Sequence, residues 1–179
     1  MAINFATVKL SLYNWIVSVA PSGMPVIYWQ PNSPRPSVPY ITLFISQVTA
    51  VNQDWSSGST DVNGAIAMKG DRQFTLEIQA YGADPLTLME NIRTSLQKQS
   101  VLDTLRANGI AFYLSLTIND ITELVDSQYE RRAHLDVLFG IGQVYADSPG
   151  FFDHIELTEE FIDQVATVIY NETFLIPNP

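Results

Sequence analysis

Over residues 72–81 the chain alternates, with Phe74, Leu76, Ile78 and Ala80 on one side and Thr75, Glu77, Gln79 and Tyr81 on the other. A period of two marks a strand with one buried face. Gly82 ends it, Asp84 falls where a helix N-cap belongs, and Pro85 takes the first helical position. Aspartate offers an acceptor to the free N–H groups of the first turn, and proline has the required φ and no N–H to leave unpaired. Leu86, Met89, Ile92 or Arg93, and Leu96 then recur at helical spacing. A second helical piece over 101–107 stops at Asn108-Gly109, a common C-terminal signal. The stretch predicts a core strand feeding a helix pair that packs back on the sheet.

The same reasoning divides the rest of the chain. Residues 3–20 carry polar Asn4, Thr7, Ser11, Asn14 and Ser18 at steps of three and four, opposite Phe5, Val8, Leu12, Trp15, Ile16 and Val19. That is an amphipathic helix. Residues 21–39 hold six prolines, Pro21, Pro25, Pro31, Pro34, Pro36 and Pro39, which forbids helix and leaves room for a short edge strand at 26–29. A long strand follows over 40–51, with Ile41, Leu43 and Ile45 on one face and Phe44 and Val48 on the other, so both sides are expected to be partly covered. The thirteen residues NQDWSSGSTDVNG (52–64) read as the tip of a long hairpin, with a strand resuming at 65–69 and a turn or bulge at Gly70-Asp71.

Farther on, Phe112, Leu114, Leu116 and Ile118 predict a strand over 110–118. Residues 119–128 read as acidic and irregular, with room for a short helical turn. The longest strand is expected over 129–145, its core face made of Ala133, Leu135, Val137, Phe139 and Ile141 and its other face of Arg132, His134 and Asp136. Residues 147–150 form a turn, a helical pattern surrounds Phe161, Val165 and Val168, and Phe174-Leu175-Ile176 closes the chain as an apolar arm ending in prolines. The fold class is therefore α+β: a mostly antiparallel β-sheet with helices packed on one face, a long β-hairpin loop and a C-terminal arm. One domain spans 1–179, made of a helix (1–20), a Pro-rich connector (21–39), a sheet-and-helix core (40–146) and an acidic arm (147–179).

Composition narrows the function. Hydrophobic residues make up 46% of the chain, enough for a core, and cysteine is absent, which removes disulfides and thiolate metal sites. The net charge is −10, and residues 147–179 carry Asp147, Asp153, Glu156, Glu159, Glu160, Asp163 and Glu172 with no Lys or Arg. This balance opposes tight phosphate binding. It reads either as a solvated surface or as one that repels DNA or meets a basic partner. No segment has the length and apolarity to span a membrane, and no signal peptide is recognised, so cytoplasmic synthesis is expected.

Candidate chemistry is sparse. His134 and Asp136 share a strand face and, with Glu77, make up a possible acid–base group, but no nucleophile or oxyanion device accompanies them. One histidine with scattered carboxylates lacks metal-ligand spacing. Neither a dinucleotide fingerprint nor a phosphate-binding loop is found. The remaining candidates are contact residues. Asp54, Trp55 and Asp61 lie in the 52–64 loop, where Trp55 either anchors the loop to the core or meets a partner. Arg131-Arg132 is the only adjacent basic pair, read as an inter-subunit ion pair with the acidic tail or, alternatively, as a DNA contact. Phe174, Leu175 and Ile176 are read as packing in this subunit or the next.

The segments FTLEIQAYGADPL (74–86), LRANGIAFY (105–113) and YERRAHLDVLFG (129–140) resemble the tail terminator, or neck terminator, proteins of tailed bacteriophages. The resemblance covers roughly 38–146, and its motifs are structural. It implies a virion protein of the tail or neck: a hexameric ring that caps the tail tube, joins it to the head–tail connector and passes genomic DNA through its lumen without sequence-specific binding. The implied partners are further copies of the chain, the tail tube protein, the connector protein and, in contractile tails, the tail sheath. No cofactor, metal, membrane or catalytic residue is implied. Another head–tail joining or tube-like protein is the alternative, and a small hydrolase using His134 is the reading from a different class.

Overall fold

The computed structural model describes residues 3–29, 34–56, 58–61, 63–82, 84–125 and 127–150, together with the backbone of 154–162 and 168–177. Helix α1 is Phe5–Val19, and the side chain of its N-cap Asn4 accepts from the N–H groups of Ala6 and Thr7. Val8, Leu12, Trp15 and Ile16 form its buried stripe, as the polar/apolar spacing predicts. The connector then supplies β1 (Val26–Tyr28), an edge strand lying parallel to β2 (Tyr40–Ala50). On β2 the cover of the second face lies at Tyr40 and Thr42, whereas Phe44 and Val48, expected to be partly covered, are exposed.

A two-residue β3 (Trp55–Ser56) interrupts the predicted loop and pairs with β4 (Ile66–Tyr81). β4 runs unbroken through Gly70 and Asp71, where a turn or bulge was expected. The irregularity falls instead on its partner β2, between Ile45 and Gln47. Gly82, at φ 126°, ends β4 in a conformation that favours glycine. Asp84 and Pro85 then start α2 (Pro85–Ser95) as predicted, the Asp84 carboxylate accepting from the Thr87 N–H. Its buried face is Pro85, Leu88, Met89, Ile92 and Ser95, with Leu86 exposed rather than inward. Helix α3 (Gln99–Ala107) follows and ends at Asn108 and Gly109, the latter at φ 73°.

Strand β5 (Ile110–Ser115) pairs antiparallel with β9 (Arg132–Asp147) and is shorter than predicted. A register shift between Phe112 and Leu114 turns Leu114 outward, and Leu116 beyond it is exposed as well, so the expected inward row breaks after Phe112 and resumes at Ile118, which packs half-buried against the core. The described residues of 119–130 contain no helical turn. They form β6 (Asn119–Asp120), paired with β9, and the hairpin β7 (Glu123–Val125) with β8 (Gln128–Glu130). The predicted strand over 129–145 is thus split at Arg131.

The main sheet has the order β1-β2-β4-β9-β5. β4 and β9 run antiparallel, since the Gly82 N–H donates to the Arg131 carbonyl at one end while Gly142 lies beside Asp71 at the other. Alternate residues of β2, β4 and β9 join Val8, Leu12, Met89, Ile92 and Leu105 of the helices in one apolar cluster, with Phe74 and Phe139 fully buried at its centre. Burying a phenylalanine or leucine side chain stabilises by about 1.5–3 kcal/mol. The helices therefore cover one face of the sheet and leave the other to polar side chains, the predicted α+β arrangement.

The chain divides into two compact units, one of residues 1–55 with 68–145, the other of 56–67 with 146–179. In the second unit, residues expected to be partly helical form an antiparallel hairpin, β10 (His154–Ile162) with β11 (Val168–Pro177). β-Branched residues such as Ile155, Thr158, Ile162, Val168, Ile169 and Thr173 favour the pleated backbone there. Phe161 and Val168 lie in these strands, while Val165 is outside the described residues.

Candidate functional site

The face of the sheet away from the helices carries the polar candidates. From β2 it presents Tyr40 and Thr42, from β4 Glu77, Gln79 and Tyr81, and from β9 Arg132, His134 and Asp136. The register sets Tyr40 opposite Tyr81 and Thr42 opposite Gln79, and the two tyrosine rings stack with centroids 4.4 Å apart. The guanidinium of Arg132 lies 5.0 Å from the Tyr81 ring and that of Arg35 5.5 Å from it. Burial pushes the Tyr81 phenol above its ordinary pKa, with Arg132 opposing. The phenol therefore stays a donor, and it donates to Gln79 Oε1 at 2.8 Å.

Gln79 is the hub of this face. Its carbonyl oxygen also accepts from Arg132, through Nε at 3.0 Å and through Nη2. Its amide donates to Glu77 Oε1 at 2.8 Å. Next in line, His134 Nε2 lies 3.5 Å from Glu77 Oε1 and 3.1 Å from Asp136 Oδ1. A cavity of about 340 Å³ opens beside the row, between Trp29 and Phe44 on one side and Glu77, Gln79 and Arg132 on the other. Such a row can hold a charge or a cation. Among the described residues no hydroxyl is hydrogen-bonded to the His134 imidazole.

The residues singled out from sequence fall in several places. Asp54 is drawn into an internal cluster: Oδ1 accepts from Arg72 Nη1 at 2.6 Å, and Oδ2 accepts from Arg72 Nη2 at 2.8 Å, Tyr145 Oη at 3.0 Å and Gln143 Nε2 at 3.2 Å. Arg72 above all, with help from Tyr145 and Gln143, holds its carboxyl down at a pKa of about 2. Trp55 beside it is 53% exposed, with the Lys69 ammonium 5.2 Å from its ring. Asp61 closes a local turn, its carboxylate accepting from the N–H groups of Asn63 and Ala65, which lower its pKa.

Arg131 lines a separate cavity of about 610 Å³ with Val38, Tyr129 and Glu130. Arg132 instead reaches Gln79 and, at 3.5 Å, Glu123. Adjacent in sequence, the two arginines thus serve different surroundings. The backbones of Phe174, Leu175 and Ile176 pair with Leu157, Glu156 and Ile155 in the terminal hairpin, and their side chains lie outside the described residues. Sequence reasoning missed the roles of Gln79, Arg72 and Tyr145. Outward positions on predicted strands were the available signal for Gln79, but nothing local marks a residue that bonds across eighteen or ninety-one positions.

A helix-backed sheet whose open face carries polar networks and whose rim carries exposed aromatic residues is a frame suited to contacts with other proteins. The sequence matches the family described as phage neck terminator protein over residues 7–172. The chain belongs to this family and is a structural component of the phage tail or neck. The match includes most of α1 and most of the acidic C-terminal segment, both beyond the 38–146 core that carries the resemblance. No curated protein matches the chain significantly. Among the described residues no helix is long and apolar enough to cross a membrane.

Proposed function

We propose that the chain is the tail terminator subunit of its virion. Six copies form a ring that caps the tail tube and joins it to the head–tail connector, and genomic DNA passes through the lumen without sequence-specific binding. The ring meets the tube protein, the connector protein and, in a contractile tail, the sheath; it assembles in the host cytoplasm and needs neither catalysis nor a cofactor. The family match over 7–172 carries the reading. Two features support it. Trp55, Leu124 and Tyr129 are exposed apolar side chains of the kind that anchor protein contacts. A net charge of −10 opposes adhesion to DNA.

Electron microscopy of tails from a phage lacking the gene tests the proposal. Tails of abnormal length that do not join heads are expected, and normal tails joined to heads overturn it. Native mass spectrometry of the purified protein, alone and with isolated tubes, adds the stoichiometry: a six-subunit species is expected in at least one condition, and a monomer that ignores tubes overturns the ring.

A further inference from the structure

We propose that Glu77, His134 and Asp136 bind a divalent transition-metal ion, with zinc the representative of its class. The residues come from the open faces of β4 and β9, and one ligand atom from each lies within 4.8 Å of the other two. Two ligands held at about 2.0–2.2 Å from one ion, at tetrahedral or octahedral angles, stand roughly 3.0–3.6 Å apart. The separations of 3.1 Å from His134 Nε2 to Asp136 Oδ1 and 3.5 Å to Glu77 Oε1 fall in that window. One imidazole nitrogen with two carboxylate oxygens suits zinc, manganese or iron(II) better than calcium or magnesium, which prefer all-oxygen shells. Two carboxylates also neutralise a dication beside a neutral imidazole.

Two further observations bear on the site. The Gln79 amide donates to Glu77 Oε1, and Tyr81 and Arg132 hold the Gln79 carbonyl in turn. Outer hydrogen bonds of this kind orient ligating carboxylates. The cavity beside Glu77 opens to solvent, and the three side chains keep between 19% and 29% of their exposure. An ion can therefore enter and complete its coordination with water. Bound there, it ties β4 to β9 on the face the helices do not cover. The competing account is a protonated His134 bridging the two carboxylates, which requires no ion.

Calorimetric titration of the chelator-treated, full-length protein with zinc chloride at pH 7 separates the two, with thermal melts run in parallel. One saturable site per chain and a higher Tm with zinc are expected. His134→Ala should abolish the site, Glu77→Gln and Asp136→Asn should each weaken it strongly, and Gln79→Ala should weaken it about tenfold. Circular dichroism identifies the folded variants. Absence of saturable binding, or binding that survives in folded His134→Ala, overturns the proposal. The outcome does not depend on ring formation, so it leaves the terminator reading untouched.

Discussion

Asp54 and Arg72, eighteen positions apart, form a two-point ion pair in which each carboxylate oxygen accepts from a different guanidinium nitrogen, at 2.6 and 2.8 Å. Two parallel bonds fix geometry as well as charge. Tyr145 and Gln143 add bonds from the end of β9, so one carboxylate ties the root of the hairpin loop to two strands. The pKa of Asp54 is depressed to about 2 in the folded chain, against about 3.9 when unfolded. Its contribution to stability is therefore fully present above about pH 4 and is lost as pH falls through 2. Thermal melts from pH 7 to 2 should show Asp54→Asn with a lower Tm at neutral pH and a smaller loss on acidification than the parent chain.

Gly70 supplies the space this pair occupies. A Cβ at that position would meet the Asp54 carboxylate and the Arg72 guanidinium, both already pinned by their mutual bonds. Gly70→Ala should lower the Tm. The double variant Gly70→Ala/Asp54→Asn should fall by less than the sum of the single effects, because both act on one interaction. Additive losses in the double-mutant cycle would separate the glycine from the pair.

Phe139 is the meeting point of the core aromatics, with ring centroids 5.5 Å from Phe74, 5.9 Å from Trp15 and 6.1 Å from Phe112. It is completely buried. Phe139→Ala should cost about 3–5 kcal/mol by urea denaturation, and Phe139→Leu clearly less, because the cavity is smaller.

Trp15 and Ser95 join α1 to α2 inside the core: the indole Nε1–H donates to Ser95 Oγ at 2.9 Å, and Ser95 Oγ donates to the Ile92 carbonyl at 2.6 Å. Ser95→Ala leaves the indole N–H buried without its acceptor and should cost about 1–3 kcal/mol. Trp15→Phe in the Ser95→Ala background should recover part of that loss, since it removes the stranded donor; equilibrium unfolding of both variants checks this.

These relationships explain which parts of the fold were legible in the sequence. β4 and α2 were readable because Phe74, Leu76, Ile78 and Ala80 repeat every second residue and Asp84-Pro85 marks a helix start by local chemistry. β5 was overextended because its register shift at Phe112/Leu114 leaves no mark in composition. The terminal hairpin was misread because Phe161, Val165 and Val168 happen to fall at helical intervals, while β10–β11 pairing is non-local. Among the site residues, Asp54 was read as a contact residue of the 52–64 loop, since its partners Arg72, Gln143 and Tyr145 are far along the chain. His134 and Asp136 were readable as neighbours on one strand face with Glu77 as their companion, but the ligand-like separations, absent from the sequence spacing, arise only where Glu77 of β4 is brought beside them by the antiparallel pairing with β9.

Trp55 separates folding from assembly. Its ring is 53% exposed and is approached by the Lys69 ammonium, so the chain holds it in place without burying it. A single exposed ring contributes little to the folded subunit, and Trp55→Ala should change stability by no more than about 0.5 kcal/mol. If the side chain anchors a contact in the assembled neck, its loss should weaken association by about 2 kcal/mol or more, as for other tryptophan anchors. The expected result is a variant with an unchanged melting curve whose oligomer, measured by native mass spectrometry over a dilution series, dissociates at roughly thirtyfold higher concentration. An unchanged dissociation profile, alone and on isolated tubes, would place the contact surface elsewhere. A large drop in Tm would instead make Trp55 the internal anchor of its loop.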